Sequence, residues 1–215
     1  MGSGAPTRES NMATQAATAK HTDHPAEPAW EIARLFPAQG YWSEEEYLGL
    51  ETNHLVEFSE GRVEVLPMPT DIHQTIVGYL FTAFLSWVQR FGGKVLFAPF
   101  RVRLWPGKFR EPDLVLMLAA HDDRRHDQYW DGADLVVEVV SADDPERDLV
   151  LKRQEYAQAD IPEYWIVDPQ TQTIRVLHLE AGRYTERGPF KRGEIATSVL
   201  LEGLRIDVAA VFDAN

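Results

Sequence analysis

The chain has 215 residues, of which 44% are apolar and 11% aromatic, so it can bury one sizeable core and is short for two independent domains. Its formal net charge of −13 counts against a protein that holds nucleic acid by a globally basic surface. A local cationic track or a bound divalent ion would still suffice for an enzyme. The chain has no cysteine, which excludes disulfides and thiolate metal sites, so any metal must be held by oxygen or imidazole.

The N-terminal residues 1–28 are rich in Ala, Thr, Ser, Gly and Pro and poor in large apolar residues. This composition predicts a disordered leader ahead of one folded domain over residues 29–215. The leader contains no continuous apolar stretch that would form a signal peptide, and no apolar run of about 18 residues occurs in the chain. We therefore expect a cytoplasmic protein with no membrane partner.

The first part of the domain reads as a short helix, a hairpin and a long helix. Ser43 and Glu46 have the spacing of a capping box, which predicts a helix start. Residues 59–61 (Ser-Glu-Gly) between two β-rich runs predict a hairpin. From Asp71 to Phe91 apolar residues recur at four-residue spacing, and two glycines follow, so we expect a long amphipathic helix.

The rest of the chain alternates β-rich runs with polar loops and one further helix. The runs KVLFAPFRVRLW and DLVLML precede a polar loop from His121 to Gly132 and the run ADLVVEVV, whose near-continuous apolar character predicts a central buried strand. We expect a helix from Pro145 to Ala159, a second central strand at EYWIVD, short strands at TIRVLHLE, RYTE and TSVLL, and a weak helix at IDVAAVF. This order predicts an α/β fold with a mixed central β-sheet flanked by helices.

Two carboxylates stand where packing alone does not explain them. Asp113 opens one predicted strand, and Glu138 lies within LVVEVV between apolar neighbours. A buried carboxylate normally finds a cation, a metal or strong donors, or takes up a proton. If the two strands are neighbours, Mg²⁺ or Mn²⁺ would relieve the repulsion between the acids, since hard oxygen ligands suit these ions. Lys152, on the following helix, could lean back over the strand end and polarise a water molecule there.

Four spaced blocks carry a resemblance to a known family: VEFSEGRVEVLPMPTDIHQTIV, EPDLVL, LVVEVVSADD and DLVLKRQEYAQADIPEYWIVDP. In this order they make the chain, from Tyr41 to Phe212, similar to the Uma-two family of restriction-endonuclease-like proteins in the PD-(D/E)xK nuclease superfamily. The resemblance implies a restriction-endonuclease-like fold and an endonuclease that uses Mg²⁺ or Mn²⁺ to hydrolyse phosphodiester bonds, with DNA as the expected partner. Nucleases that cut both strands are often dimeric, so a homodimer is a further expectation.

The resemblance also assigns residues to the active site. It makes Pro112–Asp113 the PD element and Glu138 the second acid, and these two acids are the implied metal ligands. The lysine of the superfamily normally follows that acid by two residues, where this chain has Val140. In the Uma-two family the lysine is displaced onto the next helix, which is where Lys152 stands. A carbonyl near Val139 would complete the protein ligands.

Two residues of the first block match the family as well. Glu57 matches an additional acid near the active site of similar proteins, with a part in metal binding open to it, and His73 matches a histidine of the family. Glu57 could equally be an outward residue of an alternating strand, and His73 a helix-start residue with a local hydrogen bond. Lys152 could simply pair with Asp148 across one helical turn.

The segment from Lys94 to Arg110 holds five cations and no acidic residue in an otherwise acidic chain. One interpretation is a local phosphate-binding track, with Phe109 or Trp105 available for stacking on bases. The other is an ordinary solvated face of a β-hairpin. The candidate residues for nucleic-acid binding are Arg101, Arg103, Lys108 and Arg110.

Two rival functions stay open at the level of sequence. The acidity and the displaced lysine fit a catalytically silent module that keeps the nuclease fold to bind nucleic acid or protein. The missing basic surface fits a metal-dependent phosphoesterase for small substrates. A retained metal site would separate the silent module from an enzyme, because pure binding has no need of a repulsive pair of carboxylates.

Overall fold

The structure is a computed structural model that describes residues 1–2, 36–52 and 54–214. The chain divides into two units, Met1–Pro37 and Ala38–Asn215, and the larger one is compact. The predicted leader over residues 1–28 lies almost wholly outside the described residues, and so does the predicted domain start at residue 29. Both stay predictions, and the fold below is that of the larger unit.

Among the described residues the larger unit contains thirteen β-strands and four α-helices. The strands are β1 (Val56–Ser59), β2 (Arg62–Val65), β3 (Lys94–Phe97), β4 (Arg101–Trp105), β5 (Lys108–Arg110), β6 (Leu114–Met117), β7 (Tyr129–Asp131), β8 (Leu135–Val139), β9 (Glu163–Asp168), β10 (Thr173–Glu180), β11 (Arg183–Lys191), β12 (Ile195–Thr197) and β13 (Arg205–Asp207). The helices are α1 (Glu44–Leu48), α2 (Asp71–Phe91), α3 (Lys152–Gln158) and α4 (Val208–Phe212), with a 3₁₀ segment at Ala119–Arg124 and a π-helical segment at Arg147–Leu151.

The central sheet has six strands in the order β11-β10-β9-β8-β6-β3. Strands β8 and β9 run parallel, while the other neighbours are antiparallel, so the predicted mixed sheet is confirmed. Both strands that were predicted to be central occupy interior positions. All five residues of β8 are buried, and so are the first five of β9, as expected for strands that are covered on both faces.

Helix α2 covers one face of this sheet with the bounds that the sequence predicts. Thr70 caps its start by accepting the His73 N–H, and the chain leaves the helix at Gly92, whose φ of 89° suits glycine. Ile76, Leu80 and Phe84 from the apolar stripe are buried against the sheet. Ile72, the first predicted member of the stripe, is instead 64% exposed.

The opposite face of the central sheet packs against α3 and a second sheet. This second sheet has five strands in the order β2-β1-β5-β4-β7, antiparallel except for the β4–β7 pair. Val102 and Trp130 from it pack in one apolar cluster with Val136 of the central sheet and Tyr156 of α3. The sequence reading predicted the central sheet but not this second layer of short strands.

Three local predictions need correction. The predicted loop from His121 to Gly132 contains part of the 3₁₀ segment and strand β7, because Trp130 is buried between the sheets. The predicted helix over Pro145–Ala159 includes a wider π-helical segment before α3. The run TSVLL is not a strand beyond Thr197, because the next residues turn to donate hydrogen bonds to Glu163. Among the described residues no helix is long and apolar enough to cross a membrane.

The Glu163 carboxylate gives a test of this architecture. It is fully buried and accepts hydrogen bonds from Trp165 Nε1, Ser198 Oγ and the N–H groups of Val199 and Leu200. We expect Glu163→Ala to lower the free energy of unfolding by about 3–5 kcal/mol, because these donors lose their acceptor. Urea denaturation measures the change.

The matched control is Glu202→Ala, which removes an exposed carboxylate shortly after the same turn. It should change the free energy of unfolding by no more than about 0.5 kcal/mol. Equal effects of the two substitutions would contradict the role given to Glu163.

Candidate active site

A cleft opens where the ends of β6 and β8 meet the start of α2 and the π-helical segment. Its volume is about 610 Å³ including the open mouth. Four of the predicted site residues line it: His73, Asp113, Glu138 and Lys152. The structure therefore brings together side chains that are up to 79 positions apart in the printed sequence, from His73 to Lys152.

The strand register explains why the two acids meet. Strands β6 and β8 are antiparallel neighbours, with Leu114 opposite Val137. Asp113 directly precedes β6, and Glu138 directly follows Val137, so the two acids occupy the next position along the paired strands. The condition for the two acids to converge, that their strands are neighbours, is therefore met.

Asp113 is held by two donors. Its Oδ2 atom accepts the N–H of Val139 at 2.7 Å and lies 3.1 Å from His73 Nε2. Burial by itself lowers the pKa of His73, but the hydrogen bond and the charge of Asp113 outweigh it, and the net effect raises that pKa. An imidazolium therefore faces Asp113 over a wider pH range than a free histidine would allow.

Glu138 lies deeper and is held by α3. Its Oε1 accepts from Lys152 Nζ at 2.8 Å and from the hydroxyl of Tyr156 at 2.5 Å. Lys152 and Tyr156 are four residues apart, so they lie on the same face of the helix. Burial, reinforced by the charges of Asp148 and Asp113, outweighs the attraction of Lys152 and raises the pKa of Glu138 to about 8.

Lys152 is buried and is surrounded by carboxylates. Besides Glu138, its Nζ contacts Asp148 at 3.2 Å and Glu57 at 3.7 Å. Burial lowers the pKa of Lys152, but these three carboxylates outweigh it and raise the pKa well above its usual value. The pairing of Lys152 with Asp148 across one turn, which the sequence offered as an alternative, therefore coexists with the pairing to Glu138.

Asp148 is a site residue that the sequence reading did not assign. It is buried, lines the cleft and has a pKa raised chiefly by burial. The available signal was its spacing of four residues from Lys152. From the sequence alone, that spacing indicates an ion pair across one helical turn and not a further carboxylate of the site.

Glu57 lies beneath the cleft rather than in its lining. Its side chain is 1% exposed and forms ion pairs with Arg110 and Arg147, in addition to its contact with Lys152. Burial raises the pKa of Glu57, but these three cations outweigh it and lower the pKa to about 2. The predicted role of Glu57 in catalysis stays a prediction, and its placement favours the positioning of cations over metal binding.

Lys108 and Arg110 are not on an open face. Both are buried, and both bind the carboxylate of Glu155, Lys108 at 2.5 Å and Arg110 at 2.7 and 2.8 Å. Phe109 is fully buried in an aromatic core, so it is not available for stacking on bases. The interpretation of this segment as an ordinary solvated hairpin face is therefore wrong for Lys108, Phe109 and Arg110. Their burial does not favour the alternative, a phosphate-binding track, either.

Arg101 and Arg103 are also engaged within the protein. Arg101 donates to the carbonyls of Leu48 and Leu50 at 3.0 and 3.2 Å. Arg103 pairs with Asp131 at 2.6 Å. Nucleic-acid binding by these two arginines stays a prediction.

The acids of the cleft fit a magnesium site of the open kind. Among the described residues no three His, Asp or Glu side chains form a ready-made metal cage. Mg²⁺ usually takes one or two carboxylates and completes its shell with water and substrate phosphate, so a cage is not required. Asp113 lies close enough to raise the pKa of Glu138, and a cation would relieve that repulsion.

A mixed sheet that presents two acids from neighbouring strands, with a lysine from the following helix, defines a nuclease fold of the restriction-endonuclease-like class. The structure is similar to the crystal structure of "a putative nuclease belonging to DUF820 from Anabaena variabilis ATCC 29413". The TM-score is 0.64 at 18% sequence identity, covering 82% of this chain and 98% of that chain, and at this identity the similarity shows the fold alone.

The sequence profile of the Uma2 family, described as "Putative restriction endonuclease", matches residues 44–209. The chain belongs to this family, and the resemblance seen in the four sequence blocks is confirmed. A comparison with curated proteins finds no match.

The buried Glu57 gives a stability test with a defined pH dependence. We expect Glu57→Gln to lower the free energy of unfolding by roughly 3–5 kcal/mol near neutral pH, because Arg110, Arg147 and Lys152 lose a shared counter-charge. The pKa of Glu57 is about 2 in the folded protein against an ordinary value of 4.5, so the stabilisation is fully present above pH 4.5 and is lost as the pH falls towards 2.

Denaturation curves of wild type and Glu57→Gln at pH 7, 4 and 3 measure this effect, with Glu60→Gln at the exposed hairpin tip as the control. The difference between wild type and Glu57→Gln should shrink as the pH falls. A difference that stays constant across this range would show that Glu57 does not act through its charge.

Proposed function

We propose that this protein is a metal-dependent endonuclease that hydrolyses phosphodiester bonds, with DNA as the expected substrate. The observation that carries the proposal is the placement of Asp113 and Glu138 side by side in a cleft, with the Lys152 ammonium 2.8 Å from Glu138. Membership of a family described as restriction endonucleases supports the choice of nucleic acid as substrate.

Asp113 and Glu138 would hold the metal ion, Mg²⁺ or Mn²⁺, together with a main-chain carbonyl near Val139. When bound, the ion supplies a Lewis acid that activates water and neutralises charge on the phosphate. The contacts described for Asp113 fall on Oδ2, and those of Glu138 fall on Oε1.

The other residues of the cleft hold these ligands in place. His73 and the N–H of Val139 orient Asp113, while Tyr156 orients Glu138. Such supporting contacts fix ligand geometry and typically change metal affinity or activity 10–100-fold, which gives about 1–3 kcal/mol to each.

Lys152 acts as a permanent cation in this account. The surrounding carboxylates raise its pKa, so at neutral pH it keeps its proton and does not serve as a general base. Its ammonium instead orients the attacking water and stabilises the charge that develops on the phosphate. This role follows from the charge of Lys152 rather than from its position in the superfamily motif.

A catalytically silent binding module and a small-molecule phosphoesterase are the other outcomes that the experiments below distinguish. Cytoplasmic location and a homodimer stay predictions.

Substitution of one metal ligand tests the nuclease activity. Asp113→Asn keeps the size of the side chain and an acceptor for the Val139 N–H but removes the charge. We expect cleavage of plasmid DNA in Mg²⁺ to fall by at least about 100-fold, since losing a ligand should exceed the effect of losing a supporting contact. The thermal unfolding temperature should change little.

Asp143→Asn is the matched control, because Asp143 is an exposed acid of the same cleft. This variant should cleave DNA like the wild type. Full activity in Asp113→Asn would end the proposal. Hydrolysis of a nucleotide ester in place of DNA by the wild type would favour the phosphoesterase instead.

Proton release on metal binding tests the metal site without any cleavage. Burial raises the pKa of Glu138 to about 8, so Glu138 holds a proton more readily than an ordinary carboxyl group, and a cation that binds Glu138 must displace any proton it holds. We expect titration of Mn²⁺, in buffers of different ionisation enthalpy, to release more protons per ion at pH 7 than at pH 9, because the raised pKa of Glu138 lies between these two values.

The control for this titration is the double variant Asp113→Asn/Glu138→Gln. It should bind no Mn²⁺ at this site and release no proton. Equal binding by the wild type and the double variant would place the metal elsewhere and contradict the assignment.

A further inference from the structure

Lys152 and Arg147 line the cleft among the described residues, in addition to His73, which is paired with Asp113. Lys152 is in contact with three carboxylates, and its side chain is 4% exposed. Arg147 retains 14% side-chain exposure and lies on the π-helical segment at the cleft wall. Arg147 is therefore the more exposed cation of this pair and the better placed to bind an anionic ligand directly.

The guanidinium of Arg147 has two very different partners. Glu57 holds it from below, and this carboxylate is 1% exposed. Glu64, on β2, binds it from the surface, with Nη1 to Oε1 at 2.8 Å and Nη2 to Oε2 at 3.2 Å, and its side chain is 61% exposed. In addition, the buried Nε of Arg147 has no hydrogen-bond partner in the described part of the chain.

A purely structural role accounts for part of this arrangement. Glu57 and Glu64 are directly opposite each other in the β1–β2 pair, and like charges at such positions repel. Arg147 neutralises both acids. Neutralising the two acids does not explain why the guanidinium lines the same cleft as Asp113 and Glu138. It also does not explain why the buried Nε has no hydrogen-bond partner among the described residues.

We propose that Arg147 binds a phosphate of the substrate strand, and that Glu64 occupies this position in the free protein until the phosphate replaces it. This inference rests on the proposed function, because the ligand is the phosphodiester backbone that the cleft would cut. Glu57 stays in place throughout and keeps the guanidinium aimed at the cleft.

The chemistry of the three groups supports the exchange. Carboxylate and phosphate both accept two parallel hydrogen bonds from the planar guanidinium, so one can substitute for the other. An exposed ion pair such as Arg147–Glu64 contributes little to stability and is screened by salt. The buried pair with Glu57 is not exchangeable in this way, since its separation would leave charges buried without partners.

A binding cycle between the two residues tests the inference. All proteins carry Asp113→Asn to prevent cleavage, and the probe is a short fluorescein-labelled DNA duplex in Mg²⁺, followed by fluorescence anisotropy. We expect Glu64→Gln to tighten binding by about 3–10-fold, because the competing charge is gone. Arg147→Gln should weaken binding by about 10-fold and reduce the salt dependence by about one phosphate contact.

The combination of both substitutions separates exchange at Arg147 from a general charge effect. In the Arg147→Gln background, Glu64→Gln should no longer tighten binding. Glu60→Gln removes the same charge from the tip of the same hairpin and should have a smaller effect than Glu64→Gln. Arg147→Lys keeps the positive charge beside Glu57 but cannot donate two parallel hydrogen bonds to a phosphate, so it should bind DNA with intermediate affinity. This variant is the control for misfolding of Arg147→Gln.

The outcomes distinguish this inference from the nuclease proposal. If Glu64→Gln tightens binding equally with and without Arg147, or if Glu60→Gln does as much, the inference is overturned while DNA cleavage by the wild type still supports the nuclease. If no variant binds DNA, the inference about Arg147 is overturned, and cleavage of plasmid DNA by the wild type decides the nuclease proposal separately.

Discussion

The buried contact between Lys152 and Glu138 is the interaction on which the rest of the site depends. Both side chains are 4% exposed, and neither charge would be stable there alone. The ammonium holds Glu138 of the central sheet and also contacts Glu57 of the second sheet, while α3 supplies the lysine itself. One cation therefore links the strand that carries Glu138, the following helix and the second layer of the fold.

This network shows how an acidic protein could place positive charge beside the phosphate that we propose it binds. Most cations of the second sheet form ion pairs with carboxylates of the protein itself, as Lys108 and Arg110 do with Glu155. If the cleft binds a phosphate as we propose, positive charge for it would come from a bound metal ion, from Lys152 and from the side of Arg147 that Glu64 occupies. In this account the protein concentrates positive charge at one point instead of spreading it over its surface.

Sequence reasoning succeeded where one segment carried its own signal. The helix from Asp71 to Phe91 follows from apolar periodicity, and the central position of β8 and β9 follows from their continuous apolar runs. The neighbouring placement of Asp113 and Glu138 needed one further assumption, that an acid within such a strand has a partner acid on the next strand, and the register of β6 and β8 bears it out.

Sequence reasoning failed where pairing joins distant segments. Arg147 and Glu57 are 90 residues apart in the sequence, and Arg110 and Glu155 are 45 residues apart. A local sequence pattern therefore cannot predict either ion pair. The strands of the second sheet are short, and β5 is buried at all three positions, which hides the alternation that would mark an exposed face. A run of cations in such a strand looks like a surface track until the facing carboxylates are known.

The most direct test of the central claim is anomalous diffraction from crystals of the wild type grown with Mn²⁺ and a short DNA duplex. If Asp113 and Glu138 hold the metal ion, one strong anomalous peak should lie beside their carboxylates, with a DNA phosphate next to the same ion. A saturated crystal with no peak there, or with its main peak at other residues, would contradict this assignment.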